Sequence, residues 1–177
     1  LRRAVHVVRA WRLGRYRTLL DALRNHPELA WNGGDPCDRL VIFSERLDTL
    51  HWLKKSLLQD LGLPENALAV LHGGMSDTDQ QRVVEDFGKE TAPVRLLLAS
   101  DVASEGINLH YLCHRLVHFD IPWSLMTFQQ RNGRIDRYGQ TRTPYIAYLK
   151  TKSANERIRG DLRIHELLIR KDDEAVR

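Results

Sequence analysis

Short apolar runs that alternate with longer segments of helical periodicity constrain the fold of this chain more than any other feature. The runs are rich in β-branched and aromatic residues and have the length of buried strands. They span residues 39–43, 67–71, 94–99, 116–119 and 145–149. Strands that alternate with helices form a mainly parallel sheet with right-handed crossovers and helices on both faces. The pattern therefore predicts an α/β fold.

The intervening segments carry signals for where helices begin and end. Leucines recur at three- and four-residue steps over 47–61, and Gly62 follows them as a helix stop. A second helix is predicted over about 76–88 from its polar cap and terminal glycine, and a third over about 124–137. These helices supply the crossovers that a parallel sheet requires.

Three regions are predicted along the chain. Residues 1–37 are interpreted as a leading basic helix, over 5–30, followed by a loop. Residues 38–150 form the α/β domain, and residues 151–177 form a trailing helix or the start of a further region.

Charge is distributed unevenly between these regions. Residues 1–26 carry a net charge of +6, whereas residues 27–149 carry −4. A basic end on a mildly acidic body can attract a polyanion such as nucleic acid, although a solvated helix face gives the same count.

Composition excludes several classes of protein. Charged residues make up 28% of the 177 residues and apolar residues 42%, which is typical of a globular protein. The longest uncharged apolar run, 96–99, is far shorter than the ~20 residues of a membrane span, and no signal peptide is recognisable. Only two cysteines occur, without paired spacing, which favours a reducing compartment. We expect a monomeric cytoplasmic protein with no membrane partner.

Polar segments lie where the predicted strands end, and ligands bind beyond the carboxyl ends of strands in such sheets. Before the fifth strand, Arg134 and Arg137 are three residues apart and would share one face of a helix. Two guanidinium groups in fixed geometry suit a phosphate, because each offers planar donors and keeps its charge. A surface helix with two solvated arginines is the alternative.

The segment after the third strand, 100–108, combines small hydroxyl residues with Gly106. Backbone N–H groups and hydroxyls at such a turn can contact phosphate oxygens, while Asp101 and Asn108 can bond hydroxyls or organise the loop. Gly73 and its neighbour after the second strand permit close approach of a backbone or phosphate, or form a simple turn.

In their order and spacing, these segments resemble the C-terminal RecA-like domain of superfamily-two helicases and translocases. Over 38–150 the resemblance is strongest to bacterial members of the Swi/Snf-type branch, and it is carried by LVIFSE, LHGGMSDTDQQR, LLLASDVASEGINL and LVHFDIPWSLMTFQQRNGRIDRYGQ. The resemblance implies a RecA-like three-layer sandwich and the second motor lobe of an ATP-dependent DNA translocase or helicase.

The resemblance also implies roles for individual residues. Arg137 and Arg134 would be arginine fingers, which act with Gln130 on ATP held by a partner domain. The nucleotide-binding set would be Gly106, Asn108, Asp101 and Gly133. The residues near the tracked nucleic-acid strand would be Ser44, Gly73, Arg82, Ser100 and Ser104.

Departures from related patterns refine the expected substrate. DEAD-box RNA helicases usually have His-Arg before the Gly-Arg pair, whereas this chain has Gln130 and Arg131. Duplex DNA is therefore favoured over RNA. Eukaryotic remodellers tend to carry Ala-His between the two arginines, where this chain has Ile135 and Asp136, so nucleosome remodelling is not expected.

No G-x-x-x-x-G-K-[ST] loop occurs in the sequence. ATP and Mg²⁺ would therefore be held mainly by an N-terminal RecA-like lobe of the same polypeptide, and these 177 residues alone should lack ATPase activity. Two alternatives stay open, namely a non-hydrolysing nucleic-acid-binding module with this fold and the C-terminal lobe of an RNA helicase.

One cluster of potential metal ligands was considered, comprising His110, Cys113, His114 and His118. Its spacing matches no common structural zinc pattern, so no metal site is predicted. Cys113 is interpreted as small core filler beside a strand.

Overall fold

The computed structural model describes residues 4–10, 14–101, 106–151, 166–168, 170 and 171. The elements are β1 (Ala4–Ala10), α1 (Arg15–Asn25), β2 (Arg39–Phe43), α2 (Leu47–Leu61), β3 (Leu68–Leu71), α3 (Asp77–Phe87), β4 (Leu96–Ala99), β5 (Cys113–His118), α4 (Leu125–Asn132) and β6 (Tyr145–Thr151). A 3₁₀ turn, Glu65–Ala67, precedes β3. Among the described residues, no helix combines the length and apolarity that crossing a membrane requires.

The six strands form one sheet in the order β1-β6-β5-β2-β4-β3, and all paired strands are parallel. The predicted α/β class with a parallel sheet is therefore confirmed. Phe43 pairs with Ala99, which in turn pairs with Leu71. Because these three residues end their strands at one level, the loops after β2, β4 and β3 begin side by side.

Helices cover both faces of the sheet, as predicted. In β2, Leu40 and Ile42 pack in one core cluster with the buried leucines of α1 and α2. Val41 and Phe43 point the other way and pack in a second cluster, to which α3 and α4 contribute Phe87 and Phe128. Strand residues alternate between faces with a period of two, so a continuous apolar run fills both layers.

Two predicted helix ends are confirmed in detail. Gly62 ends α2 with φ of 63°, a left-handed conformation that costs glycine little because it has no Cβ. Ser76 is the N-terminal cap of α3, and its Oγ atom accepts a hydrogen bond from the N–H of Asp79 at 3.2 Å.

The predicted leading helix over 5–30 is wrong in its first part. Residues Ala4–Ala10 form an edge strand that pairs with β6, and the helix is confined to Arg15–Asn25. The run contains three valines, whose branched side chains favour a strand. Its backbone hydrogen bonds are made with β6, which lies more than a hundred residues away in the sequence. Local periodicity therefore could not predict this pairing.

The predicted helix over 124–137 is also too long. Helix α4 ends at Asn132, and Gly133 is its C-terminal cap. Glycine is a poor helix former, and the chain tightens here into i→i−3 turns, with the Arg134 N–H bonded to the Arg131 oxygen at 3.1 Å.

Most of the predicted trailing helix over 154–170 lies outside the described residues. Residues 166–168, 170 and 171 are helical, and Leu168 is buried against the second core cluster. The division of the chain into three regions stays a prediction.

Candidate functional site

A turn formed by residues 133–140 links α4 to the segment before β6, and the core holds it at several points. Ile135 is fully buried within the turn. At its far end, the Gln140 side chain donates hydrogen bonds to the carbonyl oxygens of Ile135 and Cys113, each at 3.0 Å. The backbone of this 133–140 turn is therefore fixed even though it is not helical.

Arg134 and Arg137 both extend from the 133–140 turn to one neighbouring segment. Arg134 Nη1 donates to the carbonyl oxygen of Ile107 at 3.1 Å, and Arg137 Nη1 donates to Oδ1 of Asn108. A backbone hydrogen bond from Leu109 to the Arg134 oxygen, at 3.1 Å, joins the two segments. The two guanidinium groups therefore contact adjacent residues, but they extend from a turn rather than from the helix face that was predicted.

The segment that receives these arginines begins with a glycine in an unusual conformation. Gly106 has φ of 76°, so a residue with a Cβ would be strained there although the space around it is open. Farther along, burial and, to a smaller extent, the Arg137 guanidinium lower the pKa of His110.

A groove of about 570 Å³ lies between α3 and the segment 106–111. One wall includes Gln81, Val84 and Glu85 of α3, and the other includes Asn108 and Tyr111. The Asn108 carboxamide thus stands between the groove and the Arg137 guanidinium.

The residues that follow β2 and β4 lie next to each other at the carboxyl edge of the sheet. The buried Ser44 hydroxyl donates to Oδ2 of Asp120 at 2.5 Å. Ser100 is 6% exposed, and its Oγ atom is buried without a hydrogen-bond partner among the described residues. The structure thus brings together two of the predicted nucleic-acid-binding residues, and it gives the Ser44 hydroxyl a partner within the chain.

The other predicted residues are spread more widely. Gly73 is exposed in the turn after β3, and Gln130 lies half-buried on α4. Arg82 is exposed on α3, with its guanidinium 3.9 Å from Asp79. Gly133 caps α4 beside the arginines. Ser104 lies outside the described residues.

A buried arginine that the sequence analysis did not select organises this edge. Arg131 is fully buried and forms ion pairs with Asp101 and Asp120. Asp101, predicted to bind nucleotide, thus has a charged partner within the chain. A signal for Arg131 was available, because it lies three residues after Phe128 and so shares the apolar face of the helix.

Together, a parallel sheet and helices on both of its faces define the architecture of a RecA-like lobe. The sequence matches the helicase conserved C-terminal domain family over residues 19–139. The chain therefore belongs to this family.

Among curated proteins, the similar ones include Swi/Snf-type superfamily-two proteins. The chain is 31% identical over 118 residues to the RNA polymerase-associated protein RapA of Vibrio campbellii, a match that covers 66% of this chain and 12% of RapA. It is 32% identical over 121 residues to the uncharacterized ATP-dependent helicase YqhH of Bacillus subtilis, covering 67% of this chain and 20% of YqhH. The chain thus spans only a fraction of the length of these relatives.

Solved structures share the fold. The C-terminal part of the Fun30 ATPase domain superposes with a TM-score of 0.68 at 23% identity, covering 89% of this chain and 46% of that one. The E. coli DEAD-box protein SrmB superposes with a TM-score of 0.60 at 26% identity, covering 83% of this chain and 78% of that one. The predicted RecA-like fold and the identification as the C-terminal lobe of a Swi/Snf-type helicase are confirmed.

Proposed function

We propose that this chain is the second motor lobe of an ATP-dependent DNA translocase and that Arg134 and Arg137 are its arginine fingers. The observation that carries the proposal is that both guanidinium groups donate hydrogen bonds to adjacent residues, Ile107 and Asn108. Two fixed positive charges at one position fit the γ-phosphate of a nucleotide.

The chemistry assigned to this lobe is charge stabilisation. Phosphoryl transfer depends on positioning and on neutralising the charge that develops on the transferred group. To reach the phosphate, Arg137 would give up its hydrogen bond to Asn108. Arg134 would likewise give up its hydrogen bond to the Ile107 carbonyl oxygen. Gln130 and Gly133 belong to the same sequence pattern, and Gly106 would let the segment 106–108 approach the nucleotide.

ATP and Mg²⁺ would be held mainly by an N-terminal RecA-like lobe of the same polypeptide. The proposal rests on the absence of a phosphate-binding G-x-x-x-x-G-K-[ST] loop from the 177 residues. An arginine finger cannot act without a partner that binds Mg-ATP. The isolated chain is therefore expected to lack ATPase activity.

The nucleic-acid contact would lie at the carboxyl edge of the sheet. Ser44 and Ser100 lie side by side there, and Gly73 follows the adjacent strand β3. Their backbone and hydroxyl groups, with those of Ser104 and the exposed Arg82, would bind phosphates without reading sequence. Duplex DNA is the proposed substrate, because the similarity to Swi/Snf-type proteins and the Gln130-Arg131 pair both favour it over RNA.

The test is the ATPase activity of the full-length protein that contains this chain. It is measured without nucleic acid, with duplex DNA and with duplex RNA, at several salt concentrations because phosphate contacts weaken as salt rises. Stimulation by DNA is the expected result. Stimulation by RNA alone would favour the RNA-helicase lobe, and nucleic-acid binding without ATP hydrolysis would favour the non-hydrolysing module.

The isolated chain provides a second comparison. No ATP turnover is expected from it, and turnover that Arg137→Ala abolishes would contradict the two-lobe arrangement. We also propose that the parent protein is a bacterial cytoplasmic protein and that this lobe is monomeric. Cys37 and Cys113 are free thiols, one exposed and one buried, which is compatible with a reducing compartment.

A further inference from the structure

Arg131 makes more charged contacts than a stabilising ion pair needs. It is fully buried, and its Nε and Nη2 atoms bind the two carboxylate oxygens of Asp101 at 2.5 and 2.9 Å. Nη1 donates to the backbone oxygen of Asp120 at 3.0 Å, and both Nη atoms lie 3.3 to 3.4 Å from Asp120 Oδ1. The planar fork thus bridges two carboxylates.

These contacts join the ends of three neighbouring strands. Asp101 lies two residues beyond β4, and Asp120 lies two residues beyond β5. Asp120 also accepts hydrogen bonds from the Ser44 hydroxyl at 2.5 Å and from the Glu45 N–H at 3.0 Å. These two bonds connect the loop after β2 to the same cluster. Arg131 therefore contacts the loops after β4 and β5 directly and the loop after β2 through Asp120.

A network of buried polar side chains on the side away from the two carboxylates orients Arg131. Its Nη1 atom lies 3.3 Å from Nδ1 of His118. A guanidinium can only donate, so this ring nitrogen accepts and the proton lies on Nε2, which is 2.9 Å from Oδ1 of Asn132. Asn132 donates to the Tyr148 hydroxyl at 3.1 Å, and the His118 ring stacks on Tyr148 with 4.5 Å between centroids.

Arg131 and Asn132 are also the last two residues of α4, immediately before the turn that carries Arg134 and Arg137. One buried cluster therefore touches both the strand-end loops and the base of the 133–140 turn. Stability alone is a weak reason for such a cluster, since apolar residues of similar volume often replace a buried ion-pair triad without loss.

We propose that Arg131 is a positioning residue that couples nucleic-acid binding to ATP turnover. It holds the loops after β2, β4 and β5 rigid relative to the 133–140 turn, so that nucleic acid bound at the loops fixes the finger geometry. The inference rests on the proposed function. Small misplacements of reacting groups can cost about 10²-fold in rate, which is why rigid support matters.

The test uses the full-length protein and the double variant Arg131→Gln with Asp101→Asn. This variant removes one positive and one negative charge, so the cluster of Arg131, Asp101 and Asp120 keeps its net charge. Asp120 also keeps its bonds to Ser44 and Glu45. ATPase rates are measured against DNA concentration, alongside urea unfolding, Arg131→Lys and the control Arg142→Ala.

We expect kcat with saturating DNA to fall about tenfold or more and the half-saturating DNA concentration to rise about fivefold. The urea midpoint should fall, because Asp120 loses its cation, and it gives the fraction of folded protein by which the rate is corrected. Arg131→Lys should behave similarly, because an ammonium cannot bridge two carboxylates as a fork does. Loss of folded protein alone would lower the rate without moving DNA half-saturation.

An unchanged half-saturating DNA concentration in both Arg131 variants would overturn the proposal, whether or not kcat falls. A wild-type protein whose ATPase does not respond to DNA would instead contradict the proposed function. The two failures are therefore distinguishable in one set of measurements.

Discussion

The guanidinium of Arg137 donates a hydrogen bond to the side-chain oxygen of Asn108, 29 positions away in the sequence. Arg134 donates to the carbonyl oxygen of the adjacent residue, Ile107, at 3.1 Å. Both cations are thereby held at one segment beside the groove between α3 and residues 106–111. For either arginine to bind a phosphate, it must exchange a bond within the chain for a bond to the ligand.

Replacing Asn108 should reveal this exchange. In Asn108→Asp the acceptor becomes a carboxylate, and charge-assisted hydrogen bonds are roughly twice as strong as neutral ones. Arg137 would be held more tightly, so we expect kcat of the full-length protein to fall about tenfold further than in Asn108→Ala. Steady-state ATPase kinetics measure the difference. Equal rates in the two variants would show that the Arg137–Asn108 bond does not compete with catalysis.

Removing a finger should affect the rate rather than substrate binding. Arginine fingers contribute about 10³ to 10⁵ to kcat where they have been measured. Arg137→Ala in the full-length protein should therefore lower kcat by about 10³ or more, with a much smaller change in KM for ATP. Arg142→Ala is the matched control, since that guanidinium is half exposed and lies 3.7 Å from Asp38, just before β2. A fall of less than about tenfold for Arg137→Ala would argue against its role as a finger.

The Tyr148 hydroxyl should contribute measurably to stability. It lies 3.1 Å from Nδ2 of Asn132 inside the core. Tyr148→Phe leaves this buried N–H group without its acceptor, so the free energy of unfolding should fall by about 1 to 3 kcal/mol in urea denaturation. Tyr138 is fully exposed, and Tyr138→Phe should change the free energy of unfolding by less than about 0.5 kcal/mol. Equal effects would contradict the buried network.

The end of α2 should require glycine. Gly62 has φ of 63°, and a Cβ placed there would meet no neighbour within 4 Å, so the cost of substitution is purely conformational. Gly62→Ala should lower the free energy of unfolding by about 1 kcal/mol. Gly14→Ala is the matched control, because Gly14 has open space and φ of −58°. A loss at position 14 as large as at position 62 would mean that backbone conformation is not the cause.

Stability should depend on pH through His114. Burial, with the cations of Arg115 and Arg142 nearby, lowers the pKa of His114 to about 4, although Asp38 lies 3.7 Å away and opposes the shift. The Arg142 Nη1 atom lies 3.3 Å from Nδ1 of this ring, which fits an uncharged imidazole that accepts.

The unfolded chain protonates His114 near pH ~6.5, whereas the folded chain does so only near pH 4. Below pH ~6.5 the unfolded state therefore binds the extra proton, so this contribution to stability is complete above ~6.5 and is lost as the pH falls toward 4. The loss is at most about 3 kcal/mol. Urea midpoints between pH 4 and 8 measure it, and His114→Gln should flatten the curve. An unchanged slope in that variant would rule out His114 as its source.

The five strands after β1 and the helices α2 and α3 were predictable because their signals are local. The apolar run at Arg39–Phe43 became β2 with the same bounds, and the leucine spacing before Gly62 located α2. The sequence also led us to expect Arg134 and Arg137 side by side, but on a helix that the structure ends before them. Gly133 ends α4 at that point, and the shared position of the two guanidiniums depends instead on contacts with Ile107 and Asn108.

Sequence periodicity and motif order by themselves determined the α/β class, the helicase family and the position of the arginine pair, because each is encoded within a few dozen neighbouring residues. Only the tertiary structure decided that Ala4–Ala10 joins the sheet and that Arg131 is buried between two carboxylates. Both depend on partners far away in the chain, since a strand needs a neighbour for its hydrogen bonds and a buried charge needs an opposite charge.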